Sequence, residues 1–191
     1  MRRISVVGNS GSGKTTIAAA LSEALDVPHL ELDGVFHQPG WVPLEEGKFR
    51  RRVAEFVAAP SWVADGNYSA VRDLVWARAD TVIWLDPPRH RVMRRIIWRT
   101  LRRAALRAEL WNGNRERWVN LVRADPMESV IAWAWTRHHA YRRRYELAVA
   151  DPANAHLTFV RLRTSGDVAA LLHQVRAQPA SPPPQTAHGT G

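Results

Sequence analysis

The hydrophobic residues of this chain follow two alternating patterns. Short, continuous apolar runs are typical of strands that are buried on both faces of a sheet. Such runs are found at 3–8, 29–32, 62–64, 81–85 and 157–160. Between them, apolar residues recur at helical spacing, as Phe49, Val53 and Val57 do. Helices are therefore predicted at 14–25, 45–58, 70–78, 88–108 and 127–149, with a last one that ends near 176.

Strands that alternate with helices predict an α/β fold with a five-stranded parallel sheet and helices on both faces. Ligands of such sheets bind beyond the carboxyl ends of the strands. Polar residues that follow predicted strands are Asp33, Asp65, Asp86 and Arg163. We expect them to converge on one crevice. The stretch 34–43 is expected to be a loop.

The length of 191 residues predicts one domain, at 1–177, followed by a disordered Pro-rich tail at 178–191. The first strand begins almost at Met1, which leaves no room for a signal peptide, and no apolar stretch is long enough for a membrane span. We therefore expect a cytoplasmic protein without a membrane partner. The absence of cysteine excludes disulfides, thiolate catalysis and a cysteine zinc site.

The stretch GNSGSGKT at 8–15 matches the phosphate-binding pattern G-x-x-x-x-G-K-[ST], between a strand and a helix. Its backbone N–H groups and the helix N-terminus face a bound polyphosphate. Lys14 would reach the β- and γ-phosphates, and the Thr15 hydroxyl would ligate Mg²⁺. The sequence therefore predicts binding of ATP and Mg²⁺. The predicted nucleotide-binding residues of this stretch are Gly8, Asn9, Ser10, Gly11, Ser12, Gly13, Lys14, Thr15 and Thr16.

The acids that follow the strands are candidates for the remaining chemistry. Magnesium takes one or two carboxylates plus water, and of Asp65 and Asp86 we favour Asp65 as its ligand. Asp33 would contact the acceptor of the phosphate or act as its base. Each of these residues could instead be a helix cap or turn former. His37 is either an acceptor ligand or an ordinary loop histidine.

The net charge of +9 is concentrated in one segment. Residues 89–144 hold 15 Arg and four acids. Guanidinium groups there could clamp a transferring phosphate. With the interleaved tryptophans, such as Trp98, they could also bind nucleic acid, although helical spacing makes core packing the better explanation for most of these tryptophans.

Three motifs together resemble a known family. They are GNSGSGKTT at 8–16, DGNY at 65–68 and TVIWLDPPR at 81–89. The chain resembles the adenylate-kinase-like P-loop nucleoside and small-molecule kinases over about residues 1–176. LDGVFHQPGW at 32–41 and DGNY make it most similar to their bacterial branch of DNA topology modulation (FlaR-like) proteins.

This resemblance implies a P-loop nucleoside-triphosphate-hydrolase fold with a helical lid at about 100–127. Asp65 matches the aspartate that holds Mg²⁺ through water, and Arg95 and Arg99 match arginines that contact ATP at the lid. The loop that begins at Arg163 would lie near the adenine.

One departure from the family concerns the acceptor. Adenylate kinases carry D-G-F-P-R where this chain has DGNY, and their phosphate-clamping arginine falls at Ser69. AMP is therefore not the expected acceptor. Arg72, one turn later, could substitute for that arginine.

The sequence thus predicts an ATP- and Mg²⁺-dependent phosphotransferase that acts on a small acceptor. Its catalytic residues would be Lys14, Asp33, Arg95 and Arg99. The rival hypothesis is a nucleotide-binding regulatory protein or slow ATPase that acts on DNA or a protein partner through its arginine-rich face.

Overall fold

The structure, a computed structural model, describes residues 1–106, 112 and 130–177, and the side chains within them except those of 97, 99–106 and 130–138. The strands are β1 Arg3–Gly8, β2 His29–Glu31, β3 Trp62–Asp65, β4 Thr81–Leu85 and β5 Thr158–Leu162. The helices are α1 Lys14–Leu25, α2 Leu32–Phe36, α3 Glu46–Val57, α4 Ser69–Arg78, α5 Arg89–Leu106, α6 Val130–Ala150 and α7 Ser165–Ala177.

The five strands form one sheet in the order β2-β3-β1-β4-β5, and all neighbouring pairs are parallel. This confirms the predicted α/β architecture. Because β1 is central, the segment that follows it lies in the middle of the carboxyl edge. The ends of β2 and β3 lie on one side of that segment, and the ends of β4 and β5 lie on the other.

The core has two layers because successive strand residues point to opposite faces of the sheet. Val82 packs in the layer beneath α3, α4 and α6, whereas its neighbour Ile83 packs in the layer beneath α1 and α7. Helix α3 buries Phe49, Val53 and Val57 at every fourth position. Burial of each such side chain stabilises the fold by about 1.5–3 kcal/mol.

The predicted element boundaries that fall on described residues agree with the structure to within a few residues, with one exception. The predicted helix end at 108 and helix start at 127 lie outside the described residues. The stretch predicted as a loop at 34–43 begins inside the short helix α2 and contains a 3₁₀ turn, Pro39–Trp41. The carbonyl oxygen of Asp33 accepts the N–H of His37, which closes the last turn of α2. A local hydrogen bond thus orders a segment whose sequence has no helical repeat.

Trp98 departs from the expected core packing, because 71% of its surface is exposed. Residues 107–111 and 113–127 of the predicted lid and the predicted tail at 178–191 lie outside the described residues. Among the helices that the structure describes, we find none with the length and apolar character of a membrane span.

Candidate active site

The phosphate loop connects β1 to α1, and its glycines are required by close packing. Gly8 has φ +148°, and a Cβ at this position would lie 2.5 Å from the carbonyl oxygen of Leu85. Gly11 has φ +73°, and a Cβ there would overlap the side chain of Ile96. Strand β4 and helix α5 therefore press directly on the loop, and only glycine satisfies both the backbone angle and the space.

The loop has the features of an anion site. Helix α1 begins at Lys14 with no side-chain cap and no acid in its first turn, which leaves its N-terminal end electropositive. Ser12 is 2% exposed, and its Oγ has no hydrogen-bond partner among the described residues. Lys14 Nζ donates to the carbonyl oxygen of Asn9 at 3.2 Å and so lies over the loop. A polyphosphate would satisfy these groups together.

Oxygen ligands for a divalent cation lie beside the loop. Thr15 Oγ1 is 2.9 Å from Asp65 Oδ2 and 3.0 Å from Glu31 Oε1. The other carboxylate oxygen of Asp65 lies 2.8 Å from His29 Nε2, which fixes the orientation of this buried side chain. Two carboxylates and a hydroxyl next to a phosphate site are a donor set that suits Mg²⁺. We call Thr15, Asp65 and Glu31 the cation group.

Glu31 is a member of this group that the sequence analysis missed. The register of β2 and β3 places it directly beside Asp65. The strand was predicted to end at Leu32, one residue beyond the end of β2, so that only the next residue, Asp33, was considered. A polar residue at the end of a strand is visible in the sequence, but Glu31 could be recognised as one only if the end of the strand were known.

A cavity of about 310 Å³ opens on the β4–β5 side of the loop. Its polar lining includes Ser12, Thr16, Arg91, Arg95 and Arg163. Arg95 Nη1 donates to the carbonyl oxygen of Ser12 at 3.0 Å, so this guanidinium touches the loop. Thr16, Arg95 and Arg163, which were predicted to contact nucleotide, thus lie around one space. The side chain of Arg99 lies outside the described residues.

A second cavity, of about 260 Å³, opens on the β2–β3 side. Its lining includes Lys14, Asp33, Tyr68 and Tyr141. The Tyr68 hydroxyl donates to Asp33 Oδ1 at 2.6 Å. Burial and the charge of Asp33 raise the pKa of Tyr68 well above its ordinary value, so the phenol stays protonated and remains a donor. His37 Nε2 lies 3.4 Å from the same hydroxyl, which brings His37 to this side of the site as well.

Asn67 joins the loop to the rest of the sheet. Its Oδ1 accepts the N–H of Gly8 at 3.2 Å, and its Nδ2 donates to the carbonyl oxygen of Gly8. The Tyr145 hydroxyl, from α6, donates to the same Oδ1 at 2.9 Å. One amide therefore holds both polar groups of the first loop residue and connects them to a helix distant in sequence. The sequence analysis assigned no role to Asn67 or Tyr145.

Asn112 is the one described residue between 106 and 130, and it lies in the range predicted as the lid. Its Nδ2 donates to the carbonyl oxygens of Gly34, at 3.2 Å, and of His37. This part of the predicted lid range therefore contacts the segment that follows Asp33.

Asp86 pairs with arginines and makes no hydrogen bond to Thr15, which argues against the alternative that Asp86 is the metal ligand. Its Oδ2 accepts from Arg161 Nη2 at 2.5 Å and lies 3.5 Å from Arg142 Nε. Arg161 also stacks over the ring of Trp84, 4.1 Å from its centre. The buried carboxylate is thus neutralised by arginines of β5 and α6, and its role in the structure is to hold these elements together.

No family model and no curated protein matches this chain. Solved structures share its fold. Shikimate kinase from Acinetobacter baumannii in complex with shikimate is 21% identical, with 92% of this chain and 90% of that chain covered and a TM-score of 0.52. Shikimate kinase from Bacteroides thetaiotaomicron is 16% identical, with 92% and 96% covered and a TM-score of 0.55. The chain therefore has the P-loop fold of such kinases. The narrower resemblance to the FlaR-like branch is not confirmed and stays a prediction.

Proposed function

We propose that the protein is an ATP- and Mg²⁺-dependent phosphotransferase that moves the γ-phosphate of ATP to a hydroxyl group of a small acceptor. The observation that carries this proposal is the pair of cavities on opposite sides of the phosphate loop. Ser12 and Gly13 line the β4–β5 cavity, whereas Lys14 lines the β2–β3 cavity beside Asp33. A nucleotide in the first cavity would direct its terminal phosphate toward an acceptor in the second.

Each part of the site has a role in this reaction. Lys14 and the loop N–H groups bind the phosphates, and Arg95 offsets the charge that develops during transfer. Thr15, Asp65 and Glu31 would hold Mg²⁺, directly or through water, and the ion supplies charge neutralisation at the β- and γ-phosphates. Arg163 and Thr16 line the nucleotide side.

Asp33 is the residue that we assign to the acceptor. Tyr68 holds its Oδ1, which leaves Oδ2 to accept a hydrogen bond from the acceptor hydroxyl. As the acceptor oxygen bonds to the γ-phosphorus, the bond to the β–γ bridging oxygen breaks, and the hydroxyl proton passes to Asp33. Most of the rate enhancement would come from positioning and charge stabilisation.

A release assay for ADP against a panel of acceptors tests this function. The panel comprises polyols, hydroxy acids including shikimate, nucleosides and AMP, and we expect AMP to be poor because Ser69 replaces the clamping arginine. One acceptor class should raise ADP release above the acceptor-free rate. Lys14→Ala should lower that rate at least ~100-fold, since its charge acts on the transferring phosphate.

The chain offers a matched control, because Lys48 is its only other lysine. Lys48 lies on α3, is exposed and pairs with Glu45, so Lys48→Ala should leave turnover unchanged. Equal activity of Lys14→Ala and the wild type would contradict the proposal. ADP release that ignores every acceptor but rises with added DNA would favour the rival hypothesis instead.

A further inference from the structure

A wide groove, of about 1020 Å³, lies between α3 and α4 on one side and α6 with the turn after it on the other. It shares no lining residue with the two cavities beside the phosphate loop. Its arginines come from three helices: Arg50, Arg72, Arg143 and Arg144. The proposed reaction gives this groove no role.

The acids that line the groove already have partners. Asp73 accepts two hydrogen bonds from Arg50, at 3.0 and 2.7 Å. Asp151 accepts the N–H of Ala153 at 3.0 Å and caps the turn that follows α6. The hydrogen bonds that Arg50 donates to Asp73 and the charge of Glu46 both raise the pKa of Arg50, so these two acids act on the same arginine.

Arg72 and Arg144 have no acidic hydrogen-bond partner in the part of the chain that the structure describes, although the charge of Asp73 acts on Arg72. Neither forms an ion pair with a carboxylate among the described residues. Arg72 packs over the ring of Trp76, 5.4 Å from its centre. Burial and the positive charge of Arg144 lower the pKa of Arg72. Both residues line the groove and also the same narrow cavity behind it, so their guanidinium groups are near neighbours. Two like charges that are close and partly desolvated destabilise one another until an anion lies between them.

We propose that this groove is an oxyanion-binding site, in which Arg72 of α4 and Arg144 of α6 hold a phosphate or carboxylate group between them. Guanidinium groups are planar and offer paired N–H donors, which match such groups in a bidentate manner. The Ser69 hydroxyl at the start of α4 lines the same groove and adds a further donor. The groove, of about 1020 Å³, has room for an oxyanion that is part of a small organic molecule.

The groove is close to the acceptor side of the active site. Arg72 and Arg144 also line a narrow internal cavity together with Asn67, Tyr68 and Tyr145. Tyr68 in turn lines the β2–β3 cavity, which we assign to the acceptor, and donates to Asp33. The bound oxyanion is therefore either a group of the acceptor itself or part of a separate ligand on the other side of Tyr68. The two arginines would recognise the oxyanion in the same way in both cases.

Thermal unfolding of the full chain at rising inorganic phosphate, with ionic strength held constant, tests the site. A non-hydrolysable ATP analogue fills the phosphate loop, so that added phosphate reports on the groove. Arg72→Gln and Arg144→Gln should each weaken the apparent phosphate affinity ~10–100-fold, as expected for loss of a charge-assisted hydrogen bond. Arg176→Gln removes one exposed charge from α7 and should leave the affinity unchanged.

Arg72→Lys guards against a folding defect, because it keeps the charge and the packing stem and should retain part of the affinity. Phosphate that stabilises the wild type and all variants equally, or stabilises none of them, would overturn the proposal. The comparison of variants does not depend on kinase activity. If the ATP analogue fails to bind, the proposed function is contradicted. The difference in phosphate affinity between Arg72→Gln and Arg176→Gln still shows whether the groove binds an oxyanion.

The acceptor panel distinguishes the two sources of the oxyanion. A higher KM for an anionic acceptor in Arg144→Gln, with kcat retained and phosphate as a competitive inhibitor, assigns the oxyanion to the acceptor. An unchanged KM, with phosphate affinity lost, assigns it to a separate ligand. Both outcomes require the arginine pair and support the site.

Discussion

Replacement of Asn67 by alanine tests how the phosphate loop is held in place. Asn67→Ala removes the two hydrogen bonds to the Gly8 peptide and the one from the Tyr145 hydroxyl. No other side chain among those described contacts both polar groups of Gly8. The loop should therefore lose its attachment to the end of β3 while its own sequence stays intact.

The magnitude follows from the groups that are left behind. Tyr145 is 3% exposed, so its hydroxyl would be buried without this acceptor. An unsatisfied buried polar group costs about 1–3 kcal/mol, and the buried Gly8 loses its side-chain partner as well. We expect a total loss of about 2–4 kcal/mol in unfolding free energy. For a chain of this size that corresponds to a fall in Tm of roughly 5–15 °C.

Calorimetry and thermal unfolding, each with and without ATP·Mg²⁺, separate the loop effect from general destabilisation. Asn154→Ala is the matched control, because Asn154 Nδ2 also donates to a backbone carbonyl, of Ala148 at 2.9 Å, away from the loop. Both variants should lose stability, but only Asn67→Ala should bind ATP at least ~10-fold more weakly. Wild-type ATP affinity in Asn67→Ala would refute the reasoning.

Two further predictions concern the nucleotide side and the dependence of stability on pH. Arg95→Ala should lower turnover at least ~10-fold because Arg95 touches the loop. Arg94→Ala, at the exposed neighbouring position, should leave turnover unchanged. Steady-state kinetics of both variants checks this, and equal losses of turnover would show a general charge effect instead. Burial alone would raise the pKa of Asp80, but hydrogen bonds from the Thr81 hydroxyl and two backbone N–H groups hold it below its ordinary value. Asp80 therefore stabilises the fold above its unfolded pKa of about 4, and this contribution is lost as the pH falls through the lower folded pKa. Asp80→Asn should be less stable than the wild type at pH 7, and the difference should shrink below about pH 4 in denaturant unfolding; a gap that stays constant with pH would contradict this.

The phosphate loop, its flanking elements and the pairing of Thr15 with Asp65 could be predicted because they depend on local sequence and on regular strand periodicity. A glycine-rich turn between an apolar strand and a helix has few alternative structures. The carboxyl ends of parallel strands lie at one edge whatever their order, so Asp33, Asp65 and Asp86 could be placed there without knowledge of the sheet. Glu31 could not, because its position depends on where β2 ends.

The sequence analysis favours Asp65 over Asp86, but the physical reason for the distinction is not visible in the sequence. Asp65 is the last residue of β3 and Asp86 follows β4, and both strands pair with β1. Asp65 lies beside Glu31 of β2 and the Thr15 hydroxyl, whereas Asp86 lies beside Arg161 of β5. The strand order decides which of the two carboxylates faces the loop hydroxyl and which is neutralised by an arginine. That order is a property of the whole sheet.

The tetrapeptide at 65–68 shows why the three parts of the site are not independent. Asp65 reaches the cation group, Asn67 holds the phosphate loop, and Tyr68 holds Asp33. Gly66 between them has φ +145°, and a Cβ there would lie 2.8 Å from that of Leu32, so this turn packs against the start of α2. A shift of the backbone at this turn would move metal, phosphate and acceptor groups together. Single side-chain changes should therefore separate their functions, whereas substitution of Gly66 should impair all three at once.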